Sequence, residues 1–440
     1  MSVFNRPDDD FARGARTIIA LPEMGVAEMR GEGSRDADAR LEEAAGLAGA
    51  IGLAVAERLR FRIRSPRPAT LFGSGQVESI GRAVEEAEAE LLIVDAPITP
   101  IQQKNLENAV KAKVIDRTGL ILEIFGERAA TSEGRLQVEL AHLDYQAGRL
   151  VRSWTHLERQ RGGFGFLGGP GETQIEADRR LIRDRMAKLR RELDQVTRTR
   201  ALHRARRQRA PWPVVALVGY TNAGKSTLFN RLTRAGVLAE NLLFATLDPT
   251  MREVPLPGFD KAILSDTVGF ISELPTQLVA AFRATLEEVV SADLIVHVRD
   301  ISHPDSFAQK QDVEQVLAEI GAGGEGGAPT IEAWNKIDLL DGEEAGRVRA
   351  EAARREDVVL ISALTGEGVD DLLDRAATRL RKGAQVRKVT LAASDGEGIA
   401  WLHANGEVVS REDRGLETDF EVRMTDTAWA RFEARQRERA

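Results

Sequence analysis

The chain has 440 residues, a hydrophobic content of 42% and a formal net charge of −8. This length exceeds one ordinary hydrophobic core, so roughly two to four domains are expected, and the composition excludes a chain that is disordered throughout. The absence of cysteine excludes disulfides and cysteine-ligated zinc. No apolar run approaches the roughly 18 residues of a membrane span, and the acidic N-terminus is unlike a signal peptide. The lack of cysteine also fits a reducing cytosol.

After a flexible leader over residues 1–14, residues 15–130 alternate strand-like and helix-like segments. Strands are predicted over Thr17–Leu21, Leu91–Asp95 and Lys113–Ile115. Helices are predicted over Ala37–Ala50, Gly75–Ala89 and Thr99–Val110, with Thr99 as N-cap. Such alternation favours a small N-terminal α/β domain with a parallel sheet.

Residues 131–210 change to a helical period. Apolar residues recur at spacings of four and three in two series: Leu136, Leu140, Leu143, Ala147 and Leu150, then Ile182, Met186, Leu189, Leu193 and Val196. Both series are typical of coiled-coil seams. The glycine-rich segment 161–171 between them cannot continue a helix. We therefore predict an antiparallel helical hairpin with this segment as its tip.

The hairpin carries two features that suggest a partner. Phe164, Phe166 and Leu167 make the tip apolar, whereas an inert linker favours serine and other polar residues, so a contacting tip is favoured over a linker. Residues 178–209 carry 13 Lys and Arg against 4 Asp and Glu, a net charge of +9 in an acidic chain. That concentration is typical of binding to a phosphate backbone, and RNA contact is preferred over the alternative of a solvated helix face.

A phosphate-binding loop is the strongest motif. The residues matching G-x-x-x-x-G-K-S, with the next threonine, are Gly219, Tyr220, Thr221, Asn222, Ala223, Gly224, Lys225, Ser226 and Thr227. They lie between the strand-like Val214–Val218 and the helix-like Thr227–Leu232, the context that this loop requires. Its backbone N–H groups and the helix N-terminus meet phosphate charge. Lys225 is expected to reach the β- and γ-phosphates as a catalytic residue, and Ser226 to bind Mg²⁺.

Two further segments complete the expected phosphate and metal site. The first is Asp266, Thr267, Val268 and Gly269, after the strand-like Ala262–Leu264. Asp266 would hold Mg²⁺ through water, and Gly269 would let the backbone approach the γ-phosphate as part of the catalytic site. The second is Phe244, Ala245, Thr246, Leu247 and Asp248, followed by Pro249 and Thr250. Thr246 is the first choice as a metal ligand and catalytic residue, and Thr250 is the alternative.

The base predicted for this site is guanine. Asn335, Lys336 and Asp338 follow the strand-like Thr330–Trp334, and the Asp338 carboxylate can accept hydrogen bonds from guanine N1 and N2, which adenine cannot supply. Ser362, Ala363 and Leu364 follow the strand-like Val358–Ile361 and offer a backbone N–H to the guanine oxygen. An ATP-dependent kinase or ATPase is the rival enzyme class, which would lack the Asp338 motif.

These segments define a P-loop GTPase domain over residues 211–382, and a small C-terminal α/β domain is predicted over 383–440. The elements predicted in the C-terminal domain are strands over Val386–Leu391 and Phe420–Met424, a helix over Thr427–Arg437, and either kind of element over Ile399–Ala404. The complete chain is thus expected to be an α/β multidomain protein with a helical hairpin inserted between its N-terminal and GTPase domains.

In this order, GYTNAGKST, FATLDPT, DTVGF, NKID and SAL resemble the HflX-type GTPases, and GFGFLGGPGETQIEADRR is a more specific likeness to that family. Asp116-Arg117-Thr118 and the stretch 134–140 resemble it too. The resemblance covers about 15–382 well and the tail loosely. It implies GTP, Mg²⁺ and a cytoplasmic protein that binds the large ribosomal subunit and its rRNA, with a role in ribosome splitting, rescue or recycling under stress. A nucleotide-regulated RNA-binding scaffold with little turnover is the alternative, and a monomer is expected.

The expected catalysis is incomplete at one position. Ras-like switches carry a water-orienting glutamine after D-x-x-G, and here that position is Phe270. The isolated protein is therefore expected to hydrolyse GTP slowly. Asn222 matches the position that coordinates a monovalent cation in potassium-activated GTPases, so it is expected either to bind K⁺ or only to form the turn. Ordering of the site by the ribosome is the other source of catalysis.

Overall fold

The computed structural model describes residues 13–24, 35–129, 131–160, 179–196, 212–234, 244, 250–272, 283–322, 327–382 and 384–437. Several predicted features lie outside these ranges: most of the leader, the hairpin tip, the basic run at 204–209, and residues 245–249 with Thr246. Within them the chain forms three sheets with covering helices. The protein is α/β and multidomain, as predicted. None of the helices described is both long enough and apolar enough to span a membrane.

The first sheet has four parallel strands in the order β2-β1-β3-β4. Its elements in chain order are β1 (Arg16–Met24), α1 (Ala37–Ala50), β2 (Ala54–Ile63), α2 (Ser74–Glu86), β3 (Leu91–Val94), α3 (Pro100–Val110), β4 (Lys113–Asp116) and α4 (Arg117–Arg128). Helices α1 and α4 cover one face and α2 and α3 the other. The Thr99 side chain caps α3 as predicted. Strand β2 and helix α4 were not predicted.

Two long helices follow the first sheet, α5 (Ser132–Gln160) and α6 over 179–196. Tyr145 and Arg149 of α5 hold Asp116 at the end of β4, at 2.6 and 2.7 Å. Met186 and Leu189, two of the predicted seam residues of α6, are buried. Arg185 Nε of α6 donates to Glu139 Oε1 of α5 at 2.6 Å. The path between the helices falls outside the described residues, so the antiparallel hairpin stays a prediction in that part.

The second sheet has six strands in the order β10-β9-β8-β5-β7-β6, and β6 pairs antiparallel with β7 while the other pairs are parallel. Its elements are β5 (Val214–Val218), α7 (Lys225–Thr233), β6 (Thr250–Leu256), β7 (Phe259–Asp266), α8 (Arg283–Val290), β8 (Leu294–Asp300), α9 (Ser306–Glu319), β9 (Thr330–Asn335), α10 (Gly342–Ala352), β10 (Val358–Leu360) and α11 (Val369–Lys382). The carboxyl ends of parallel strands meet at one edge, so the segments after β5, β7, β9 and β10 converge there.

The third sheet is antiparallel, in the order β11-β13-β12. Its elements are β11 (Ala384–Ala392), α12 (Gly396–Asn405), β12 (Glu407–Arg414), β13 (Glu417–Thr425) and α13 (Asp426–Arg437). The segment 399–404, for which both kinds of element were open, is helical, and β12 was not predicted. Leu402, Phe420 and Val422 form the centre of a small separate core. A single core cluster joins the α1 and α4 face of the first sheet to the second sheet, and the predicted domain limits stay predictions.

Candidate nucleotide site

The phosphate loop places Lys225 at the start of α7. Gly224 caps this helix with a φ of +97°, and a Cβ there would lie 2.2 Å from Asn335 Nδ2, so only glycine fits. Lys225 is 6% exposed, and its Nζ donates to the carbonyls of Gly219 and Tyr220 at 3.0 and 2.8 Å. Burial lowers the pKa of Lys225 to about 8, although Asp266 acts in the opposite direction. A buried cation with these contacts fits a phosphate ligand.

The predicted metal ligands Ser226 and Asp266 lie together. Ser226 Oγ donates to Asp266 Oδ2 at 2.8 Å, and Asp266 is fully buried at the end of β7. A hydroxyl and a carboxylate are the hard oxygen ligands that Mg²⁺ prefers, so the pair fits this ion. Thr246 lies outside the described residues. The alternative, Thr250, begins β6 and pairs opposite Asp266 in the ladder.

The segment after β7 lies directly on the phosphate loop. Thr267 Oγ1 donates to the Leu217 carbonyl at 2.6 Å, and Val268 is buried. A Cβ at Gly269 would lie 2.8 Å from Thr221 Cγ2 and 3.2 Å from Lys225 Nζ. This close approach requires glycine. It also brings the Gly269 backbone beside the lysine that is predicted to bind the γ-phosphate.

The two segments predicted to bind the base are joined through Asn335. Its Nδ2 donates to the Ala223 carbonyl and its Oδ1 accepts from the Ala363 N–H, both at 2.8 Å. Lys336 Nζ pairs with Asp300 Oδ2 at 2.7 Å. Asp338 lies in a 3₁₀ turn over Ile337–Leu339, with its side chain exposed. The structure therefore brings the phosphate loop and both base segments to one edge of the sheet.

A buried polar cluster that the sequence analysis missed lies behind the phosphate loop. The Tyr220 hydroxyl bonds to Glu43 of α1 and accepts from the Ser272 N–H at 2.7 Å. Arg117 of α4 pairs with Glu43, with Asp95 at 2.5 Å and with Ser272 Oγ at 2.5 Å. Burial alone would raise the pKa of Glu43, but Arg117 and the Tyr220 hydroxyl hold that pKa below its usual value. The cluster thus ties the first sheet unit to the nucleotide site.

Residues 244–250 and 266–270, the predicted switch segments, each contain a buried aromatic residue. Phe270 is 3% exposed, its carbonyl accepts from the Thr221 N–H at 2.7 Å, and its N–H donates to Gly219 at 3.1 Å. Phe244 packs on Phe125 of α4, with ring centroids 4.6 Å apart. The position that carries a glutamine in Ras-like switches is therefore packed inside the protein.

Asn222 is exposed and has a φ of +59°. Asparagine tolerates this left-handed conformation, which fits the turn-forming alternative.

Four family models match successive parts of the chain. They are GTP-binding GTPase N-terminal over residues 38–126, GTP-binding GTPase Middle Region over 128–207, 50S ribosome-binding GTPase over 214–336 and HflX C-terminal domain over 347–438. The HflX C-terminal domain model begins before β10 and α11. In the structure, β10 is a strand of the second sheet and α11 packs on that sheet.

Relatives match over most of the length. The chain is 55% identical over 377 residues to the GTPase HflX of Magnetococcus marinus, covering 86% of both chains. It is 44% identical over 397 residues to the GTPase HflX of Escherichia coli, covering 89% of this chain and 91% of that one. Among solved structures, it matches a GTP-binding protein of the archaeon Sulfolobus solfataricus in complex with GDP, at 25% identity and a TM-score of 0.42, covering 83% and 99%.

Proposed function

The chain belongs to the HflX family of GTPases, and from this premise we propose that it is a GTP-driven switch that binds the large ribosomal subunit. Its role in this proposal is ribosome splitting, rescue or recycling under stress, as a monomer in the cytoplasm. The convergence of Lys225, Ser226 and Asp266 at one sheet edge carries the nucleotide part of the proposal. The match to 50S ribosome-binding GTPase and the basic charge of residues 178–209 support the ribosomal part.

The proposed roles of the site residues follow from their positions. Lys225 donates to the β- and γ-phosphates, and the Gly269 N–H approaches the γ-phosphate. P-loop GTPases use Mg²⁺, which Ser226, Asp266 and Thr246 would hold and which supplies neutralisation of phosphate charge when bound. Asp338 accepts from guanine N1 and N2. Each role uses a residue that lies at, or was predicted at, the shared edge of the second sheet.

The proposed site lacks a side chain at position 270 that could orient the attacking water. The Phe270 side chain is buried and offers no hydrogen bond, so nothing at this position orients a water. We infer slow turnover by the free protein. Two factors could accelerate GTP hydrolysis in this protein. One is K⁺ bound by Asn222, and the other is ordering of Phe244, Phe270 and their neighbours by the ribosome.

Co-sedimentation tests the ribosomal part. Separated large and small ribosomal subunits are pelleted with the protein in GDP or in a non-hydrolysable GTP analogue. We expect the protein to pellet with large subunits in the analogue and much less in GDP. Equal pelleting with both subunits, or no difference between nucleotides, would refute a GTP-driven switch on the large subunit. Turnover at saturating ribosomes that stayed at the free-protein rate would favour the scaffold alternative.

A further inference from the structure

The loop over residues 362–367 leaves one backbone donor open. Five of its N–H groups bond inside the protein: Ser362 to Glu367 O, Ala363 to Asn335 Oδ1, Thr365 to Ser362 Oγ, Gly366 to Ser362 O and Glu367 to Thr365 Oγ1. The Leu364 N–H donates to no other residue in the part of the chain that the structure describes. The Leu364 side chain is 70% exposed. The Ala363 N–H is therefore occupied by Asn335, whereas the Leu364 N–H is available to a ligand.

Arg231 contacts the peptide group that joins Ala363 to Leu364, on its carbonyl side. This side chain projects from α7, the helix that begins at Lys225. Its Nε donates to the Ala363 carbonyl at 2.7 Å, and its Nη2 donates to the Leu364 carbonyl. No carboxylate among the described residues forms an ion pair with Arg231, so these carbonyls are the partners that fix it. A Cβ at Gly366 would lie 2.6 Å from Arg231 Nη1, so the glycine leaves room for the guanidinium.

The geometry of a peptide group links these two observations. The Ala363 carbonyl and the Leu364 N–H belong to one planar trans peptide, so they point in opposite directions. A guanidinium that fixes the carbonyl therefore also fixes the direction of the N–H. A hydrogen bond from a charged donor polarises the peptide and strengthens the N–H as a donor on its other side.

We propose that Arg231 is a positioning residue for guanine recognition, which aims the Leu364 N–H at the O6 oxygen of the base. This inference rests on the nucleotide site proposed above and names the donor that the sequence left open among Ser362, Ala363 and Leu364. It also assigns a function to a residue outside every nucleotide motif. Arg231 acts through the peptide and does not touch the base.

Analogues of GDP test the inference, because each changes one edge atom of the base. In 6-thio-GDP a sulfur, a weaker acceptor, replaces O6, and IDP lacks the N2 amine. Dissociation constants are measured for all three with the parent, Arg231→Met and Arg231→Lys. We expect the parent to prefer GDP over 6-thio-GDP. Arg231→Met should weaken GDP binding by about fivefold, as for one lost neutral hydrogen bond, and 6-thio-GDP binding much less. The preference, which is the ratio of the dissociation constant of 6-thio-GDP to that of GDP, should therefore fall towards one.

The conservative variant and a second arginine sharpen the result. Lysine keeps the charge but lacks the forked donors that serve two carbonyls, so Arg231→Lys should give an intermediate preference. Arg234→Met, at the C-cap of the same helix, should leave the preference at the parent value. The ratio of IDP to GDP affinity should stay constant in every variant, because Asp338 reads N2 separately. Each ratio is internal to one variant, so a partial loss of folded protein cancels.

Two outcomes would overturn the inference, and a third would contradict the proposed guanine site instead. A parent that binds GDP and 6-thio-GDP equally has no donor at O6. An unchanged preference in Arg231→Met, even with weaker binding of both nucleotides, would leave Arg231 a merely structural role. A parent that does not distinguish IDP from GDP would instead remove the Asp338 assignment, and the 6-thio-GDP preference would still decide on Arg231.

Discussion

Lys225 shows how a single residue is prepared for its ligand. Its ammonium lies in the phosphate loop against two backbone carbonyls, and burial lowers its pKa to about 8. A phosphate beside it would favour the charged form and raise that pKa again. Nucleotide binding should therefore take up a proton wherever the empty site holds a neutral lysine. It follows that affinity should fall as the pH rises through about 8.

This proton uptake is measurable by calorimetry. The binding enthalpy of GDP is compared in buffers of different ionisation enthalpy, and the slope gives the number of protons taken up. With a pKa of about 8 in the empty site, proton uptake should be larger near pH 8.5 than near pH 7.5. A slope near zero at both values would contradict the lowered pKa.

Asp338 governs the choice of base in our proposal. Asp338→Asn removes the paired acceptors of guanine N1 and N2, so GTP affinity should fall by on the order of 1–3 kcal/mol. The new amide can donate to the carbonyl of xanthine, so affinity for xanthine nucleotides should appear. Fluorescent nucleotide titration measures both. The matched control is Asp341→Asn, because asparagine caps α10 as well as aspartate does. Parent-like GTP binding by Asp338→Asn would refute the assignment.

At the scale of elements, the basic hairpin is the predicted RNA surface. Its described helix, α6, exposes Arg183, Arg190 and Arg191, while Met186 and Leu189 are buried. The residues after it, 197–211, lie outside the described ranges and include the densest run of arginines. If this positive charge binds RNA, the affinity should fall as the salt concentration rises, because Lys and Arg side chains that neutralise phosphates release the counterions of the RNA.

Reversal of this charge tests the surface. Replacing Arg204, Arg206, Arg207 and Arg209 by Glu should weaken association with large subunits and flatten its dependence on salt. GTP affinity should hardly change, because the nucleotide residues lie on the second sheet. Reversal of the exposed Arg347 and Arg349 on α10 is the control and should have little effect. A hairpin variant that pelleted like the parent across the full salt series would place the RNA surface elsewhere.

Position in a sheet explains only part of which strands were predicted, because the edge strands β4, β10 and β11 were predicted and the central strand β8 was not. Strands β3 and β5 are central, so an unbroken apolar run marked them. Strand β2 lies at the edge of its sheet, and β12 at the edge of another, where charged side chains are tolerated and the apolar signal is lost. Helix α4 is buried over most of its surface, so it lacks the polar stripe that reveals a helix.

The site shows the same limit. Spacing along the chain identified Lys225 and Asp266, because a motif fixes neighbours within one strand, turn and helix. The Tyr220, Glu43 and Ser272 cluster joins three remote segments, and no local pattern records which of them meet. One signal was present: Asp95 and Arg117 are charged residues next to apolar strands, in a position where burial requires a partner.

At the scale of the whole molecule, the first sheet unit contacts three residues around the nucleotide site: Tyr220, Phe244 and Ser272. Phe125 packs on Phe244, Glu43 bonds to Tyr220, and Arg117 bonds to Ser272. These contacts hold Tyr220 of the phosphate loop, Phe244 and Ser272 in one buried interface. A rearrangement around Phe244 and Ser272 on GTP binding therefore has to repack this interface. Residues that pack in this way are not free to orient a water, which agrees with the slow turnover that Phe270 implies.

The last prediction concerns the source of the catalytic rate. Free protein in sodium should release phosphate slowly, because Phe270 is buried and no glutamine stands beside Gly269. Large ribosomal subunits should raise the rate strongly by ordering the switch segments, so that the water is held and bulk solvent excluded. Potassium should add a further increase if Asn222 binds the cation, and Asn222→Ala should remove that increment alone. Phosphate release is measured for both proteins in each salt, with large subunits and, as control, with small ones. Fast turnover by the free protein in sodium would show that another residue of this chain orients the water.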